Sequence, residues 1–322
     1  MQIDTTFALE RLRAPIEAFF RLSGDKIRDL QEHWDPAQGA PVFTQAGKYT
    51  TRGWTEWTQG FVYGAQLLQF DATGDETFLR MGRENTFRYM APHVSHIGVH
   101  DHGFNNVSTY GILRRLAIEG RIDESADARA FFDLALKVSG AVQAARWTTI
   151  ADGTGFIHSF NGPHSLFSDT IRSCRSLVLA DALGHCLMGE GDRRISLRAR
   201  AVEHIRNTLQ FNVFFGAGRD AYDVRGRVTH EGIFNVKDGA YRCPSTQQGY
   251  SPFSTWTRGL AWVLLGCAEQ LEFFAEDDEP DEAFLDQLVE GARATADFYI
   301  EHTTLDGIPF WDTGAPGLAV LG

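Results

Sequence analysis

The sequence predicts an all-α protein built of helix hairpins, and three observations lead there. Apolar residues recur at helical spacing along most of the chain. Short turns alternate with long loops rich in Gly, Trp and His, so the helices pair off. Glycine-rich stretches with strand-like runs are largely confined to residues 216–252. Successive hairpins can close into a toroid whose long loops build a pocket on one face. An open helical array is the competing all-α arrangement.

The elements follow in order. Thr5 to Leu22 reads as an amphipathic helix with Phe7, Leu9, Leu12, Ile16, Phe19 and Phe20 on or near one stripe. Residues 33–53 are loop-rich, with Pro36, Gly39, Pro41, Gly47 and Gly53. Trp54, Trp57, Phe61, Leu67 and Leu68 open a helix that runs to about Phe70. Ala72-Thr-Gly-Asp75 is a turn, and Glu76 to Met90 is the next helix, ended by Pro92. A loop with His93, His96, His100 and His102 precedes helices over Asn105–Glu119 and Glu124–Trp147. Residues 148–168 form another loop, followed by helices over Asp169–Leu187 and Asp192–Phe214. Within 216–252, runs such as Tyr222-Asp-Val and Gly232-Ile-Phe suggest turns and a small hairpin. Ser254 and Thr255 are N-cap candidates for a helix carrying Trp256, Leu260, Val263, Leu264, Cys267, Leu271 and Phe274. An acidic loop, Glu276 to Pro280, leads to a last helix over Asp281–Glu301. The whole, residues 1–322, reads as one domain.

Composition narrows the function. The chain has 322 residues, 43% hydrophobic and 22% charged, which suits a globular protein with a sizeable core. A net charge of -12 argues against a nucleic-acid or anionic-membrane surface, though one local arginine can still recognise an anionic small molecule. The four cysteines, Cys174, Cys186, Cys243 and Cys267, form no CxxC pair, which fits a reducing, cytoplasmic compartment. The first residues hold no basic region followed by an apolar run, so no signal peptide is expected, and no stretch has the length of a membrane span.

Four stretches can carry chemistry. His100-Asp-His-Gly-Phe104 and Ser168-Asp-Thr-Ile-Arg172 each place an aspartate, Asp101 and Asp169, between a loop and a helix start. Either could simply cap its helix. Two such aspartates on equivalent loops also make the carboxylate pair used for acid–base chemistry on sugars. The loop from His230 to Gln248, with Tyr241, leads into Trp256, Arg258 and Trp262. Indoles suit sugar rings and a guanidinium suits a carboxylate or sulfate, although core packing and a surface charge are the plain alternative. The four loop histidines invite a metal, but their spacing is no known zinc signature, so no metal and no cofactor is expected.

These stretches together resemble the unsaturated glucuronyl hydrolases, glycoside hydrolase family 88. The resemblance rests on His100-Asp-x-Gly-Phe104, Gln248-Gly-Tyr250, Ser254-Thr-Trp-x-Arg-Gly-x-Ala-Trp262, Pro309-Phe-Trp-Asp312 with Ala315-Pro-Gly317, and Trp57-Thr-x-Gly-Phe61. It runs from about residue 50 onward in the same order. It implies an (α/α)6 barrel, a six-hairpin toroid, here short of its last helices. It also implies hydrolysis of lyase-made oligosaccharides that carry a 4,5-unsaturated uronic acid at the non-reducing end. By position, Asp169 resembles the general acid/base and Asp101 the supporting carboxylate. His230, Gln248, Trp256, Arg258, Trp262 and Trp57 resemble residues of the substrate cleft. A rhamnogalacturonyl hydrolase or a non-catalytic carbohydrate-binding relative is the alternative.

Three features bear on that chemistry. An acid near neutral pH needs a raised pKa, and burial beside a second carboxylate is expected to raise that of Asp169. Arg172 lies one turn past Asp169, where a guanidinium pointed at the carboxyl would favour its ionised form. His102 stands where the family prefers an apolar residue.

Overall fold

The computed structural model describes residues 1 and 3 and residues 6–51, 56–277 and 280–318. Trp54, the Thr5 start of the expected first helix, Gly53, and Asp278 and Glu279 of the acidic loop lie outside the described residues. The α-helices are α1 (Arg13–His33), α2 (Gln59–Thr73), α3 (Glu76–Tyr89), α4 (Ala91–Val94), α5 (Ile112–Ile118), α6 (Ala126–Ala145), α7 (Thr170–Ala182), α8 (Leu197–Phe211), α9 (Thr257–Phe274) and α10 (Glu282–His302). A π-helical segment, Gly103–Gly111, leads into α5. The strands are β1 (Phe43–Gln45), β2 (Lys48–Thr50), β3 (Trp147–Thr149), β4 (Gly155–Ile157), β5 (Ser165–Phe167), β6 (Leu187–Met188), β7 (Arg194–Ile195), β8 (Glu231–Phe234) and β9 (Tyr241–Ser245). All pair antiparallel, in three two-stranded ribbons and one three-stranded sheet of order β5-β8-β9.

The helices form two layers. The inner layer is a chain of neighbours: α2 against the π-helical segment, that segment against α7, and α7 against α9. Outside it, α3 packs on α2, α6 on the π-helical segment and α7, α8 on α7, and α10 on α9. Glycine permits the closest inner contacts. A Cβ on Gly60 of α2 would stand 2.4 Å from the Cα of Asn105, and one on Gly103 would stand 2.6 Å from the Cα of Ser173 on α7. One apolar core lies among α7–α10 and a second among α2, α3, α5 and α6. Between them Phe61, Phe104 and Trp262 form an aromatic knot, with Phe61 and Trp262 parallel at 6.4 Å.

Capping separates the layers. In α3, α6, α8 and α10 the N-cap side chains of Asp75, Ser125, Ser196 and Asp281 accept hydrogen bonds from first-turn amides. The inner elements α2, Gly103–Gly111, α7 and α9 have no side-chain cap. Their N-termini converge on one pocket, where the positive ends of the helix dipoles favour an anion.

Several boundaries differ from the sequence reading. Helix α1 starts at Arg13, after a 3₁₀ turn over Leu9–Leu12, because Pro15 is tolerated only in a first turn. It runs on to His33, since Gly24 lets Gln69 and Phe78 pack against it. Phe7, Leu9, Leu12, Ile16 and Phe19 are exposed. Helix α7 stops at Ala182, before Gly184 with its φ of 78°. Helix α8 waits for the Ser196 cap, because Asp192 has a φ of 58°. Residues 222–224 are not a strand: Asp223 accepts from the backbone N–H groups of Gly216 and Arg219 and folds a loop. The N-cap of α9 is Trp256, and Thr255 turns its hydroxyl to accept from the Val228 N–H at 3.2 Å. No described helix is long and apolar enough to cross a membrane.

Candidate active site

A cavity of about 500 Å³ opens at the inner-layer N-termini. Asp101 and Asp169 line it, 7% and 8% exposed. Neither carboxylate caps its helix: the π-helical segment starts after His102 and α7 after Asp169, both without a side-chain cap bond. The capping alternative therefore fails for both, and the carboxylates are left to the pocket. The close approach of Gly103 to Ser173 brings their two elements together.

Two histidines flank Asp169. His100, buried at 1% exposure, puts Nε2 3.3 Å from Asp169 Oδ2 and 3.8 Å from Asp101 Oδ1. His230 puts Nε2 3.7 Å from Asp169 Oδ1. The Gln247 backbone N–H donates to His230 Nδ1 at 3.1 Å, so the neutral ring carries its proton on Nε2, facing Asp169. His230 packs between Phe167 and Trp256, at 4.4 Å and 4.5 Å.

The charge balance departs from the sequence reading. Burial pushes the Asp169 carboxyl up, but the hydrogen bond from His100 and the charges of His100 and His230 outweigh it. The group is held below its ordinary value. Asp101 is the raised carboxyl: burial and the negative charge of Asp169 outweigh the attraction of His100. His100 is itself raised, because the two carboxylates outweigh its burial. Of the two carboxyls, Asp101 therefore holds a proton the more readily and Asp169 the less.

Arg172 is not what lowers Asp169. Its guanidinium makes a two-pronged pair with Glu269 of α9, at 2.7 and 2.9 Å, and lies 5.3 Å from the Trp262 ring and 5.6 Å from Phe104. His102 is absorbed as well. Its ring nitrogens meet Ser139 Oγ and the His96 carbonyl, each at 3.0 Å, and burial pulls it down to about 4, so it is neutral.

The remaining expected residues gather at the same pocket. Trp57, Gln248, Trp256, Arg258 and Trp262 line it. Arg258 donates to Gln248 Oε1 at 2.5 Å and lies 4.7 Å from the Trp256 ring and 5.6 Å from Trp57. Tyr241 lies elsewhere, packed on Phe211 and Phe234. Sequence reasoning missed Phe160, Phe167, Gln247, Val42 and Phe43 as pocket residues and left His100 without a role. The loop histidines do not converge on a metal: His93 turns to Gln59, and His102 to Ser139. His100, Asp101 and Asp169 do bring ligand atoms within 4.8 Å of one another. The Phe160 N–H on His100 Nδ1 leaves a proton, not a lone pair, on the Nε2 that faces the carboxylates.

The chain is similar to known proteins in sequence and in fold. No protein-family model matches the chain. It is 25% identical over 270 residues to the unsaturated glucuronyl hydrolase of Formosa agariphila, covering 82% of this chain and 58% of that protein. It is 27% identical over 276 residues to the unsaturated glucuronyl hydrolase of Bacillus sp. strain GL1, covering 84% and 64%. The chain thus spans less than two thirds of the length of these relatives. A crystal structure of an unsaturated glucuronyl hydrolase specific for heparin superposes with a TM-score of 0.71 at 18% identity, over 92% of this chain and 71% of that one. That likeness bears out the (α/α)6-barrel fold. In sequence the chain is similar to the unsaturated glucuronyl hydrolases, and it shares the fold of their solved structures.

Proposed function

We propose that residues 1–322 act as one catalytic domain that hydrolyses oligosaccharides ending in a 4,5-unsaturated uronic acid, in the cytoplasm. The observation that carries this is the Asp101–Asp169 pair, buried, uncapping and walled by Trp57, Trp256 and Trp262. The relatives' names point to the same substrate class.

The chemistry is hydration of a vinyl ether. A carboxyl proton goes to C4, water adds at C5, and the water's second proton returns to the carboxylate. The resulting C5 hemiketal opens and releases the remaining sugar, so no glycosyl–enzyme bond forms. Asp169 is the acid/base, with Oδ1 facing the reacting atoms, and Asp101 supports it. Asp169 is held below its ordinary value in the resting site, so the complex must raise its proton affinity for it to act as the acid. Asp101, the carboxyl held above its ordinary value, is its neighbour, and the two titrate as a pair. A bound uronate adds negative charge beside Asp169 and excludes water, both of which raise its proton affinity. Arg258 at the mouth, held by Gln248, recognises the uronate or a sulfate on the next sugar. The indoles of Trp57, Trp256 and Trp262 stack on sugar faces.

Incubation with unsaturated disaccharides from chondroitin, hyaluronan, heparin, gellan and pectin tests the proposal. Release of the non-reducing uronate as its open-chain keto product is the expected result. Unchanged disaccharides with folded protein would contradict it.

A further inference from the structure

His100 occupies a place that space-filling does not explain. It is buried between Phe160, near-parallel at 5.7 Å, and Phe167, edge-on at 5.3 Å. The Phe160 backbone N–H reaches His100 Nδ1 at 3.3 Å. An N–H donor there requires a lone pair on Nδ1, so the neutral ring carries its proton on Nε2. That Nε2 faces Asp169 Oδ2 at 3.3 Å. The backbone is tied as well: Gln143 of α6 donates to the His100 carbonyl at 2.8 Å. Asp169 Oδ1, by contrast, has no hydrogen-bond partner among the described residues and is buried.

We propose that His100 is the positioning residue of the acid–base pair: its Nε2–H holds Asp169 by Oδ2 and leaves Oδ1 as the oxygen that exchanges protons with substrate and water. The two oxygens of one carboxylate then have separate duties. This rests on the reading of Asp169 as the acid/base. The directions of the charge shifts agree, since His100 pulls Asp169 down while the two carboxylates hold His100 up. The groups facing His100 are Asp101 on its own loop, Asp169 before α7, Arg146 after α6, His158 after β4, His204 on α8 and His230 before β8.

The test pairs kinetics with a readout that needs no turnover. His100→Leu removes both ring contacts. It should lower kcat roughly a hundredfold to a thousandfold with KM within about threefold, and move the acid limb of the kcat/KM profile to higher pH. His100→Gln can accept from Phe160 and donate to Asp169, and should recover at least about tenfold of the loss. Nitrogen-15 histidine spectra of the full chain should show His100 as the Nε2–H tautomer, with a pKa that falls in Asp169→Asn. A folded His100→Leu with wild-type kcat and an unmoved acid limb would overturn the proposal. So would an Nδ1–H tautomer, or a His100 titration indifferent to Asp169→Asn. If no unsaturated uronide is turned over, the functional reading fails, and the spectra still decide what His100 does to Asp169.

Discussion

His230 Nε2 and Asp169 Oδ1 face each other at 3.7 Å, both buried and neither with a hydrogen-bond partner among the described residues. Buried polar atoms are rarely left so, and a gap slightly too long for a direct bond suits a third polar group between them. In the proposed reaction that group is the attacking water or the substrate. His230→Leu is therefore expected to cut kcat by about a hundredfold, from lost orientation, while the fold persists. Steady-state kinetics beside a circular dichroism spectrum checks it. An unchanged kcat would remove His230 from the site.

Arg172 and Glu269 tie α7 to α9 beneath Trp262. The pair is partly buried, so Arg172→Met should cost about 1–3 kcal/mol, because it leaves Glu269 without its partner. The acid limb of the pH–rate profile should stay within about 0.3 units, since Arg172 pairs with Glu269 and not with Asp169. Urea denaturation and a pH–rate profile separate the two effects. A large downward or upward move of the acid limb would show that Arg172 reaches Asp169 after all.

Gly103 sets the distance between the two aspartates' elements. An added Cβ would meet the Ser173 backbone, which cannot yield as a flexible side chain does. Gly103→Ala should destabilise the protein by about 1–3 kcal/mol and lower kcat more than it raises KM. Thermal unfolding with kinetics reads both. A neutral outcome would mean the two segments separate without cost.

Acid should unfold the protein from the histidines inward. Burial pulls His93 and His102 down to about 4 and His204 to about 3. All three are buried in the fold. Each is neutral when folded and protonates more readily when unfolded. Their stabilising contribution is thus complete above the unfolded value of 6.5 and is lost as pH falls from there toward the folded values. The loss should total several kcal/mol, roughly 1–3 per histidine. The ordinary-direction carboxylate Asp169 adds a loss at still lower pH, below the usual carboxylate range. Denaturant unfolding at pH 7, 6 and 5 measures the slope, and a flat stability over that interval would show that these rings are solvated.

The helix hairpins were legible because amphipathic spacing and capping residues are local signals. Ser125, Ser196 and Asp281 cap the outer helices they precede. The inner helices hid their starts for a physical reason: Asp101 and Asp169 look like caps in sequence, and only the fold shows that they are not used as such. The π-helical turn over Gly103–Gly111 has no sequence signature of its own and appears once Gly60 and Gly103 are pressed against neighbouring backbones. The site aspartates and the Trp256–Arg258–Trp262 cluster were readable from motif spacing. Their electrostatics were not, since the lowering of Asp169 depends on His100 and His230 meeting it across sequence separations that no local pattern encodes. The Arg172 side chain is the same lesson: one helical turn from Asp169 in sequence, it is committed to α9 in space.

The most direct test of the account follows the ultraviolet absorbance of the conjugated C4=C5 uronate as the protein meets an unsaturated disaccharide, with Asp169→Asn beside the wild type. Absorbance should fall with the wild type and, in the variant, fall at least about a thousandfold more slowly while disaccharide binding persists. Equal rates for the two proteins would contradict the assignment of Asp169, and a flat trace for folded wild type across all the disaccharides would contradict vinyl-ether hydration itself.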